Sequence, residues 1–285
     1  MAEPIASAAL VIDAALGWPR AIYERIGHPV GLFARIIEAC ERRWNQSSRP
    51  APSRRALGVV TVILLVTVAG GGAFLIERAL LAVLGKWAWP VIALLAAPGL
   101  AQRSLHQHVV PVAAALGSGD LDAARRAVGM IVGRDTESLD AAGIARAGIE
   151  SLSESFCDGV VAPFFWLLLL GLPGLWAYKA INTADSLIGH YEERWRAFGW
   201  AAARADDLLN LIPARLSGVL LCLAGAGGWR TMARDARKHA SPNAGWPEAA
   251  MAGALGLRLA GPIAYDGVLL EKPWIGAGRS EPGAG

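Results

Sequence analysis

The chain has little charge and lacks several short motifs that mark familiar soluble enzymes. Only 18% of its 285 residues are charged and 54% are hydrophobic, whereas a soluble domain carries about 25% charged residues. It contains no GxxxxGK[ST] phosphate loop, no HExxH metal motif and no GxSxG nucleophile motif. The composition therefore predicts that a bilayer is part of the solvent of this protein. The missing phosphate-loop motif excludes a P-loop as its nucleotide site.

Cysteine and net charge are also scarce. The three cysteines, Cys40, Cys157 and Cys222, show no CxxC spacing, so we expect small apolar fillers in a reducing compartment, with no disulfide framework and no zinc site. No basic residue precedes the first apolar run, so no signal peptide is expected. The net charge of +3 gives no argument for nucleic acid as a partner.

Five apolar segments are present, at 5–18, 56–76, 87–101, 160–178 and 216–228. The uncharged segment 56–76 is the safest transmembrane span, and 87–101 is predicted to be a second one. The segment 160–178 is interrupted by GLPG at 171–174, as a re-entrant hairpin requires. The segment 5–18 is short and contains Asp13, and 216–228 has no central breaker, so its path stays open.

Lysine and arginine gather in four polar stretches. Residues 20–55 hold eight, and 102–158, 179–215 and 229–258 hold five each. The positive-inside rule places all four stretches in the cytoplasm, which makes 160–178 dip into the membrane and return. The predicted fold is all-α: a polytopic integral membrane protein with cytoplasmic helices and re-entrant segments, forming a single unit over 1–276, with a flexible tail at 277–285. Ser138 is expected to cap one cytoplasmic helix.

The stretch IESLSESFCDGVVAPFF, residues 149–165, passes abruptly from acidic to apolar sequence. Glu150, Glu154 and Asp158 are spaced i, i+4, i+8, so a helix would place them in one stripe. A solvated helix face explains each acid alone. Because like charges at this spacing repel, a cation such as Mg²⁺ would also account for the stripe.

The stretch YKAINTADSLIGHYEERWRAFG, residues 178–199, forms a second polar constellation. Lys179, Asn182 and Ser186 share a helix face, with Asp185 at its border. A juxtamembrane helix whose basic side chains reach towards the headgroups and a polar binding surface are both consistent with this pattern.

A third constellation lies in AARADDLLNLIPARLSG, residues 202–218. Asp206 and Asn210 are expected one helical turn apart, Asp207 is adjacent, and Arg204 and Arg215 flank them. The group predicts either a simple ion-pair network or a site for a metal and a phosphate.

The fourth constellation is the loop and helix HASPNAGWPEAAMAG, residues 239–253. It combines His239, Ser241, Asn243 and Glu248 with two prolines and two glycines. Pro247 suits the first turn of a helix whose small residues allow close approach to another helix or to a ligand. A lone histidine is more often structural than catalytic.

Acids in cytoplasmic stretches favour an enzyme acting on a charged or phosphorylated substrate over a transporter, for which only Asp13 lies inside a predicted span. The alternatives are another membrane enzyme of phosphoalcohol transfer, a transporter of a small charged solute and a scaffold. Asp158–Gly159 is faintly similar to phosphoalcohol transferases, but the sequence after it lacks their further acids.

Taken together, these motifs resemble the adenosylcobinamide-phosphate synthase family of cobalamin biosynthesis. The resemblance is carried by VGRDTESLD, IESLSES-x-x-DGVVAPFFW, GLPGLWAYKAINTADS-x-x-GH, FG-x-x-AAR-x-DDLLNLIPARL and HASPNAGWPEAAMAGALG, with HPVG at 28–31 and LAQRSLHQH at 100–108. It extends from about Asp13 to Gly276. Ser155 departs from the family pattern, which has Asn there, and GHYEERW departs from it where a basic residue is common.

The resemblance implies an integral protein of the bacterial inner membrane with its active face in the cytoplasm. It implies an acid–amine ligase that joins aminopropanol, or its O-phosphate, to the propionate carboxylate of adenosylcobyric acid. ATP would be consumed, Mg²⁺ would be required, and no prosthetic group is implied. Membrane lipid and other late enzymes of the pathway are the expected partners.

The resemblance also implies roles for individual residues. Catalytic roles would belong to Glu150, Glu154, Asp158, Asp185, Asp206 and Asp207, of which Glu154, Asp158, Asp206 and Asp207 would hold the metal. Substrate and phosphate would be bound by Arg134, Asp135, Lys179, Asn182, Arg204, Asn210, Arg215, His239, Asn243 and Glu248. The identity of the general base stays open.

Overall fold

The protein is an all-α membrane protein, as the composition predicts. Its computed structural model describes residues 2–133, 135–265, 268–270 and 272–279. The helices are α1 (Ala2–Leu16), α2 (Arg20–Ile26), α3 (Pro29–Trp44), α4 (Ala51–Val66), α5 (Gly72–Leu84), α6 (Trp89–Ala96), α7 (Gln102–Ser118), α8 (Leu121–Gly129), α9 (Ala141–Phe156), α10 (Ala162–Ile188), α11 (Glu193–Arg196), α12 (Trp200–Leu209), α13 (Leu211–Ala224), α14 (Trp229–Asp235) and α15 (Gly245–Leu255).

Shorter elements connect these helices. π-helical turns occupy Thr67–Gly71 and Cys157–Val161, and 3₁₀ turns occupy Gly85–Ala88, Ala97–Gly99 and Ala236–Lys238. Within the described residues, four short strands follow α15: β1 (Leu259–Ala260), β2 (Ile263–Tyr265), β3 (Val268–Leu270) and β4 (Trp274–Ile275). β1 pairs with β4 and β2 with β3, both antiparallel. These strands are too short to show the alternation from which strands are predicted.

Helix starts follow local capping chemistry. His28 precedes α3, where its Nδ1 accepts a hydrogen bond from the backbone N–H of Val30 at 3.2 Å, and Pro29 occupies the first helical position. Asp120 caps α8 through the N–H of Ala123. The expected cap at Ser138 is wrong: the cap of α9 is two residues later, where Asp140 Oδ1 accepts from Gly143 N–H at 2.7 Å. The negative charge of a carboxylate at this position also interacts favourably with the positive end of the helix dipole.

The chain divides into two compact units, Met1–Arg103 with Ala162–Leu209 (unit 1) and Ser104–Val161 with Asn210–Gly285 (unit 2). One core of unit 1 packs α1, α6 and α10 through Ala6, Ala9, Ile92, Leu172 and Leu175. Small side chains at such contacts allow membrane helices to approach closely, because dispersion rather than water exclusion drives their association.

Asp13, the acid in the first apolar segment, has a structural partner in unit 1. It is buried, and its Oδ2 accepts from the backbone N–H groups of Gln102 at 2.7 Å and Arg103 at 3.3 Å. These are the first amides of α7, which have no partners inside their own helix. Asp13 therefore caps α7 instead of marking a solute pathway.

The break predicted at GLPG is confirmed within α10. Gly171 has φ +68° and ψ −156°, which interrupts the helix just before Pro173. The amide freed by the break, the N–H of Leu172, donates to Glu77 Oε2 of α5 at 2.9 Å. A carboxylate in an apolar segment thereby satisfies a backbone group that lipid could not.

The described part of unit 2 contains several buried clusters, one of which joins α15 to β1 and β4 through Ala249, Leu259 and Ile275. Val112, Ala124, Val128, Ile144 and Ala147 join α7, α8 and α9. A second group, formed by α13, α14 and α15, centres on the buried Cys222, Met232 and Ala250. The three cysteines are buried and form no disulfide with one another, which agrees with their expected role as small apolar fillers.

Membrane-spanning capacity is concentrated in two helical stretches, Ala51–Ser118 and Ala141–Ile188. Among the described residues, two bent pairs, Ala2–Leu16 with Arg20–Trp44 and Trp200–Leu209 with Leu211–Ala224, raise the number of candidate spans to four if each pair crosses once. The predicted spans 56–76 and 87–101 both lie within Ala51–Ser118. The number of crossings, the hairpin at 160–178 and the single unit over 1–276 stay predictions. Residues 277–279 of the predicted tail include Arg279, which hydrogen-bonds the backbone of Gly256 and Arg258.

Candidate functional site

Unit 2 contains a cavity of about 470 Å³ with charged walls, called here the charged cavity. Its ionisable and hydroxyl side chains come from α9, from the loop before α15, from α15 itself and from the segment before β4. They are Glu150, Ser151, Glu154, Lys238, His239, Glu248 and Lys272. Acidic and basic groups thus face one space, which can accept a ligand that carries both charges.

Glu150 connects the cavity wall to the strands. Its Oε1 accepts a hydrogen bond from the N–H of Ala260 at 2.8 Å. On the next residue, Ser151 Oγ donates to the carbonyl of Ile131 at 2.6 Å. These two contacts orient α9 so that Glu154, one turn further, also lines the cavity.

The acidic stripe predicted for α9 is only partly gathered at this cavity. Glu150 and Glu154 line it, but Asp158 is not among its lining residues. α9 ends at Phe156, and Asp158 lies in the π-helical turn Cys157–Val161. A π-helical turn contains more residues than an α-helical one, so the spacing i, i+4, i+8 no longer follows one face.

The loop before α15 fixes the orientation of His239. Its Nδ1 accepts from the N–H of Ser241 at 3.0 Å, so in the neutral ring the proton is on Nε2. Nε2 lies 3.7 Å from Glu248 Oε2. Ser241 Oγ in turn accepts from the N–H groups of Asn243 and Ala244, each at 3.2 Å.

Burial lowers the pKa of His239 below its ordinary value of 6.5, and the positive charge of Lys272 lowers that pKa further. The imidazole is therefore neutral at neutral pH. In this state its Nε2–H is a hydrogen-bond donor directed towards Glu248.

Arg215 and Asn243 hold the same loop from outside the cavity. Arg215 Nη1 donates to Asn243 Oδ1 at 3.1 Å and to the carbonyl of Leu211 at 2.7 Å. Its guanidinium lies over the ring of Trp246, 4.6 Å from the centroid. Neither Arg215 nor Asn243 lines the charged cavity, so in this structure the pair positions the loop.

Asp235 is a buried anchor that the motifs did not indicate. It is fully buried and accepts from Arg234 at 2.6 Å, Lys238 at 2.8 Å and the N–H of Gly276 at 2.9 Å. The hydrogen bond from Arg234 holds the pKa of Asp235 well below its usual range. Through Lys238, this carboxylate fixes one cation at the cavity. The signal in the sequence is a single acid in the basic run RDARK.

Unit 1 contains a separate polar cluster on α10 and α12. Lys179 Nζ donates to Asn182 Oδ1, and Asn182 Nδ2 donates to Asp206 Oδ1, both at 3.3 Å. Asp206 and Asn182, which belong to two different motifs, therefore meet in the structure. Arg204 and Asp207 form an ion pair at 3.0 Å, with Arg204 half exposed, which is the simple pairing that the sequence left open.

The remaining candidates lie elsewhere. Asp135 is exposed and accepts from the N–H of Glu137 at 2.9 Å, as in a turn. Asp185 is partly buried in α10, where its carbonyl accepts from the N–H of Gly189. Asn210 is buried and is the single residue between α12 and α13. No continuous helix therefore connects it to Asp206. Arg134 lies outside the described residues.

The acidic clusters differ from the compact ligand sets of structural metal sites. Within the described part of the chain, no group of three or more His, Cys, Asp or Glu side chains is arranged to hold a metal ion. Mg²⁺ needs fewer protein ligands, since it keeps several waters and binds through one or two carboxylates together with substrate phosphates. The glutamates of the charged cavity fit that requirement, and the two lysines there fit phosphate oxygens.

Comparison with known proteins gives a consistent result. The family model described as "CobD/Cbib protein" matches residues 6–284. "Cobalamin biosynthesis protein CobD" of Rhodobacter capsulatus is 50% identical over 280 residues, which cover 96% of this chain and 87% of that protein. The protein of the same description from Brucella suis biovar 1 is 47% identical over 283 residues, covering 96% and 86%. No solved structure matches the chain.

Proposed function

Because the chain belongs to the CobD/Cbib protein family, whose relatives are cobalamin biosynthesis proteins, we propose that it catalyses amide formation in that pathway. The reaction would join the amine of aminopropanol, or of its O-phosphate, to the propionate carboxylate of adenosylcobyric acid, with consumption of ATP. The observation that carries this proposal is the charged cavity, in which cationic and anionic side chains face one space of about 470 Å³.

The opposed charges suit two substrates that differ in charge. A carboxylate or phosphate is attracted by Lys238 and Lys272, and the Nε2–H of neutral His239 can donate to one of its oxygens. An ammonium group is attracted by Glu150, Glu154 and Glu248, which line the same cavity. Holding an acid and an amine in one space removes the entropy cost of bringing them together.

A free carboxylate is a poor electrophile, so the acid must be activated before the amine attacks. ATP with Mg²⁺, when bound, would supply the phosphoryl group that activates it and would leave as ADP, and the amine would then displace inorganic phosphate as the C–N bond forms. Carboxylates of the cavity wall would hold the metal, and the lysines would neutralise phosphate oxygens. A wall carboxylate would also accept the proton that the ammonium group must lose to become a nucleophile.

The size of the cavity limits what enters it. A corrin ring with its side arms is much larger than this space, so the propionate arm would enter while the ring stays outside. In this proposal the unit lies on the cytoplasmic side of the bacterial inner membrane, where ATP is available. The basic residues of 102–158 and 229–258 support that orientation through the positive-inside rule.

The test is product formation by membranes that contain the protein, supplied with adenosylcobyric acid, aminopropanol O-phosphate and Mg-ATP. We expect a cobinamide phosphate, identified by mass, that disappears when ATP is omitted or Mg²⁺ is chelated. Parallel reactions with unphosphorylated aminopropanol identify the preferred amine. Failure to form product with either amine, in membranes shown to contain folded protein, would contradict the proposal.

A matched pair of variants connects the activity to the cavity. Lys238→Gln removes a cation from its wall, whereas Lys86→Gln removes one from the 3₁₀ turn Gly85–Ala88 in unit 1. We expect the first variant to lower kcat/KM and the second to leave it unchanged. Equal activity in both would remove the charged cavity from the reaction.

A further inference from the structure

Unit 1 contains a second cavity, of about 630 Å³, called here the apolar cavity. Every side chain that lines it is hydrocarbon, glycine or the indole of tryptophan. Its volume falls within the range of about 300–1,000 Å³ typical of small-molecule sites. Neither the charged cavity nor the amide-forming reaction proposed above uses any of these residues.

We propose that the apolar cavity binds one acyl chain of an anionic membrane phospholipid, with the headgroup of that lipid against α2. The segments that form the cavity include Val68, Ile76 and Leu94 of the candidate span Ala51–Ser118. Ile26 and Leu94, at 74% and 57% exposure, line the cavity and are open to their surroundings. In a bilayer those surroundings are acyl chains, and a space without polar partners does not retain water.

The helix α2 has the composition of a segment that lies at the membrane interface. None of its residues is buried, and Ile22 and Ile26, one turn apart, both line the cavity. Arg20 and Arg25 are exposed on the same short helix; Arg20 pairs with Glu24 at 2.7 Å, so Arg25 is the arginine assigned here to the headgroup. Apolar side chains towards the lipid with basic ones beside them are typical of interfacial helices, and arginine attracts anionic headgroups.

Trp18 lies where the headgroup region would begin. It lines the cavity, and its indole N–H donates to the carbonyl of Gly27 at 3.2 Å, which holds the two ends of α2 in place. Tryptophan is enriched at membrane interfaces because its ring is apolar and its N–H is polar. The cavity thus has hydrocarbon along its walls and a tryptophan beside the short helix that carries Arg25.

Gly72 provides a way to fill the cavity without disturbing the fold. It lines the cavity with an ordinary helical backbone, and a Cβ added there would meet no atom within 4 Å. A Cβ added at Gly71 would also meet no atom within 4 Å, but Gly71 does not line the cavity. Gly72→Phe and Gly71→Phe therefore form a matched pair.

The experiment is native mass spectrometry of the full chain, purified in detergent and titrated with phosphatidylglycerol. We expect one lipid to remain bound per chain, and Gly72→Phe to weaken that binding about tenfold or more, while Gly71→Phe leaves it unchanged. If Gly72→Phe fails to fold, Ile76→Trp replaces it, with the exposed neighbour Leu75→Trp as its control.

Two further arms identify the ligand. Phosphatidylcholine should bind more weakly than phosphatidylglycerol, and Arg25→Gln should reduce that difference. Equal lipid retention in the native protein and in both cavity variants would overturn the site. Equal binding of the two lipids would overturn the assigned headgroup. Because the readout is lipid binding, these outcomes do not depend on amide formation.

Discussion

His239 and Glu248 face each other across 3.7 Å at the wall of the charged cavity. The Nδ1 atom of the histidine is already engaged by the N–H of Ser241, so only Nε2 is directed towards the glutamate. This arrangement separates two roles of one side chain: Nδ1 shapes the loop, and Nε2 serves the cavity.

The two roles can be tested with two substitutions at one position. His239→Asn can keep an acceptor near the N–H of Ser241 but removes Nε2, whereas His239→Ala removes both. We expect both variants to lower kcat/KM, by about 10²-fold if Nε2 donates to a developing charge. Only His239→Ala should also lower the melting temperature, by the equivalent of about 1 kcal/mol for the lost hydrogen bond. Unchanged kcat/KM in His239→Asn would assign a purely structural role to the histidine.

His239 also predicts a pH dependence of stability. Because its pKa is lowered in the folded state, the unfolded state binds more protons between the folded pKa and the ordinary value of about 6.5. The contribution is therefore fully present above pH 6.5 and is lost as the pH falls through that value. In detergent, the melting temperature should decrease as the pH is lowered towards 5.5, and this decrease should be smaller in His239→Asn. Parallel curves for the two proteins would contradict this.

Asp235 predicts a different dependence. Its pKa is depressed in the folded state, so its contribution is present above the ordinary carboxyl value of about 3.9 and is lost as the pH falls towards the folded pKa. At neutral pH, Asp235→Ala should destabilise unit 2 by about 1.5–3 kcal/mol, because charged hydrogen bonds and the acceptor of Gly276 N–H are lost.

Asp235→Asn is the matched control for that change. It keeps an oxygen for Gly276 N–H but loses the charge that attracts Arg234 and Lys238, so its cost should be smaller. Chemical unfolding in mild detergent measures both variants. A cost for Asn as large as that for Ala would mean that the ion pairs, not the backbone contact, carry the stabilisation.

A substitution at Glu150 can distinguish the effect of its hydrogen bond from the effect of its negative charge. Glu150→Gln keeps the carbonyl oxygen that accepts from Ala260 N–H but removes a negative charge from the cavity wall. We expect an unchanged melting temperature and a fall in kcat/KM of about 10²-fold or more if this carboxylate takes part in proton transfer. Glu38→Gln, an exposed glutamate in α3 of unit 1, controls for the loss of one charge. Activity equal to that of the control would exclude Glu150 from the mechanism.

Close packing around Gly58 in unit 1 predicts that adding a single methyl group there lowers the stability of the protein. A Cβ at Gly58 of α4 would overlap the carbonyl oxygen of Phe198, a backbone atom that cannot rotate away. Gly58→Ala should therefore cost about 1–3 kcal/mol. Gly31→Ala, in the first turn of α3 with nothing within 4 Å of its Cβ position, should be neutral or stabilising by up to about 1 kcal/mol. Thermal unfolding of the two variants distinguishes them.

Local features of this protein could be predicted from its sequence, and long-range ones could not. The apolar composition predicts the all-α membrane class, and GLPG predicts the break that the structure places at Gly171. The N–H of Leu172, which this break leaves without a helical partner, donates to Glu77, 95 residues away in the chain. No local pattern in the sequence indicates that contact. Similarly, the spacing of Asp206 and Asn210 predicts one continuous helical turn, but α12 ends at Leu209.

The charged cavity shows the same limit. Helical spacing predicts that Glu150 and Glu154 share a face, but not that a π-helical turn follows Phe156 and changes the register before Asp158. Lys272 reaches the cavity from the segment that leads into β4, which pairs with β1. Strands of two residues give no periodic signal, so this lysine could be assigned to the site only from the structure.

The contact between Glu77 and the amide of Leu172 has a consequence for biogenesis. α5 is synthesised long before α10, so Glu77 enters the bilayer before the amide of Leu172 has been made. We therefore expect the second half of α10 to acquire its direction when it packs against α5. Assembly of unit 1 is thus ordered: the early helices must already be in place to receive the late one.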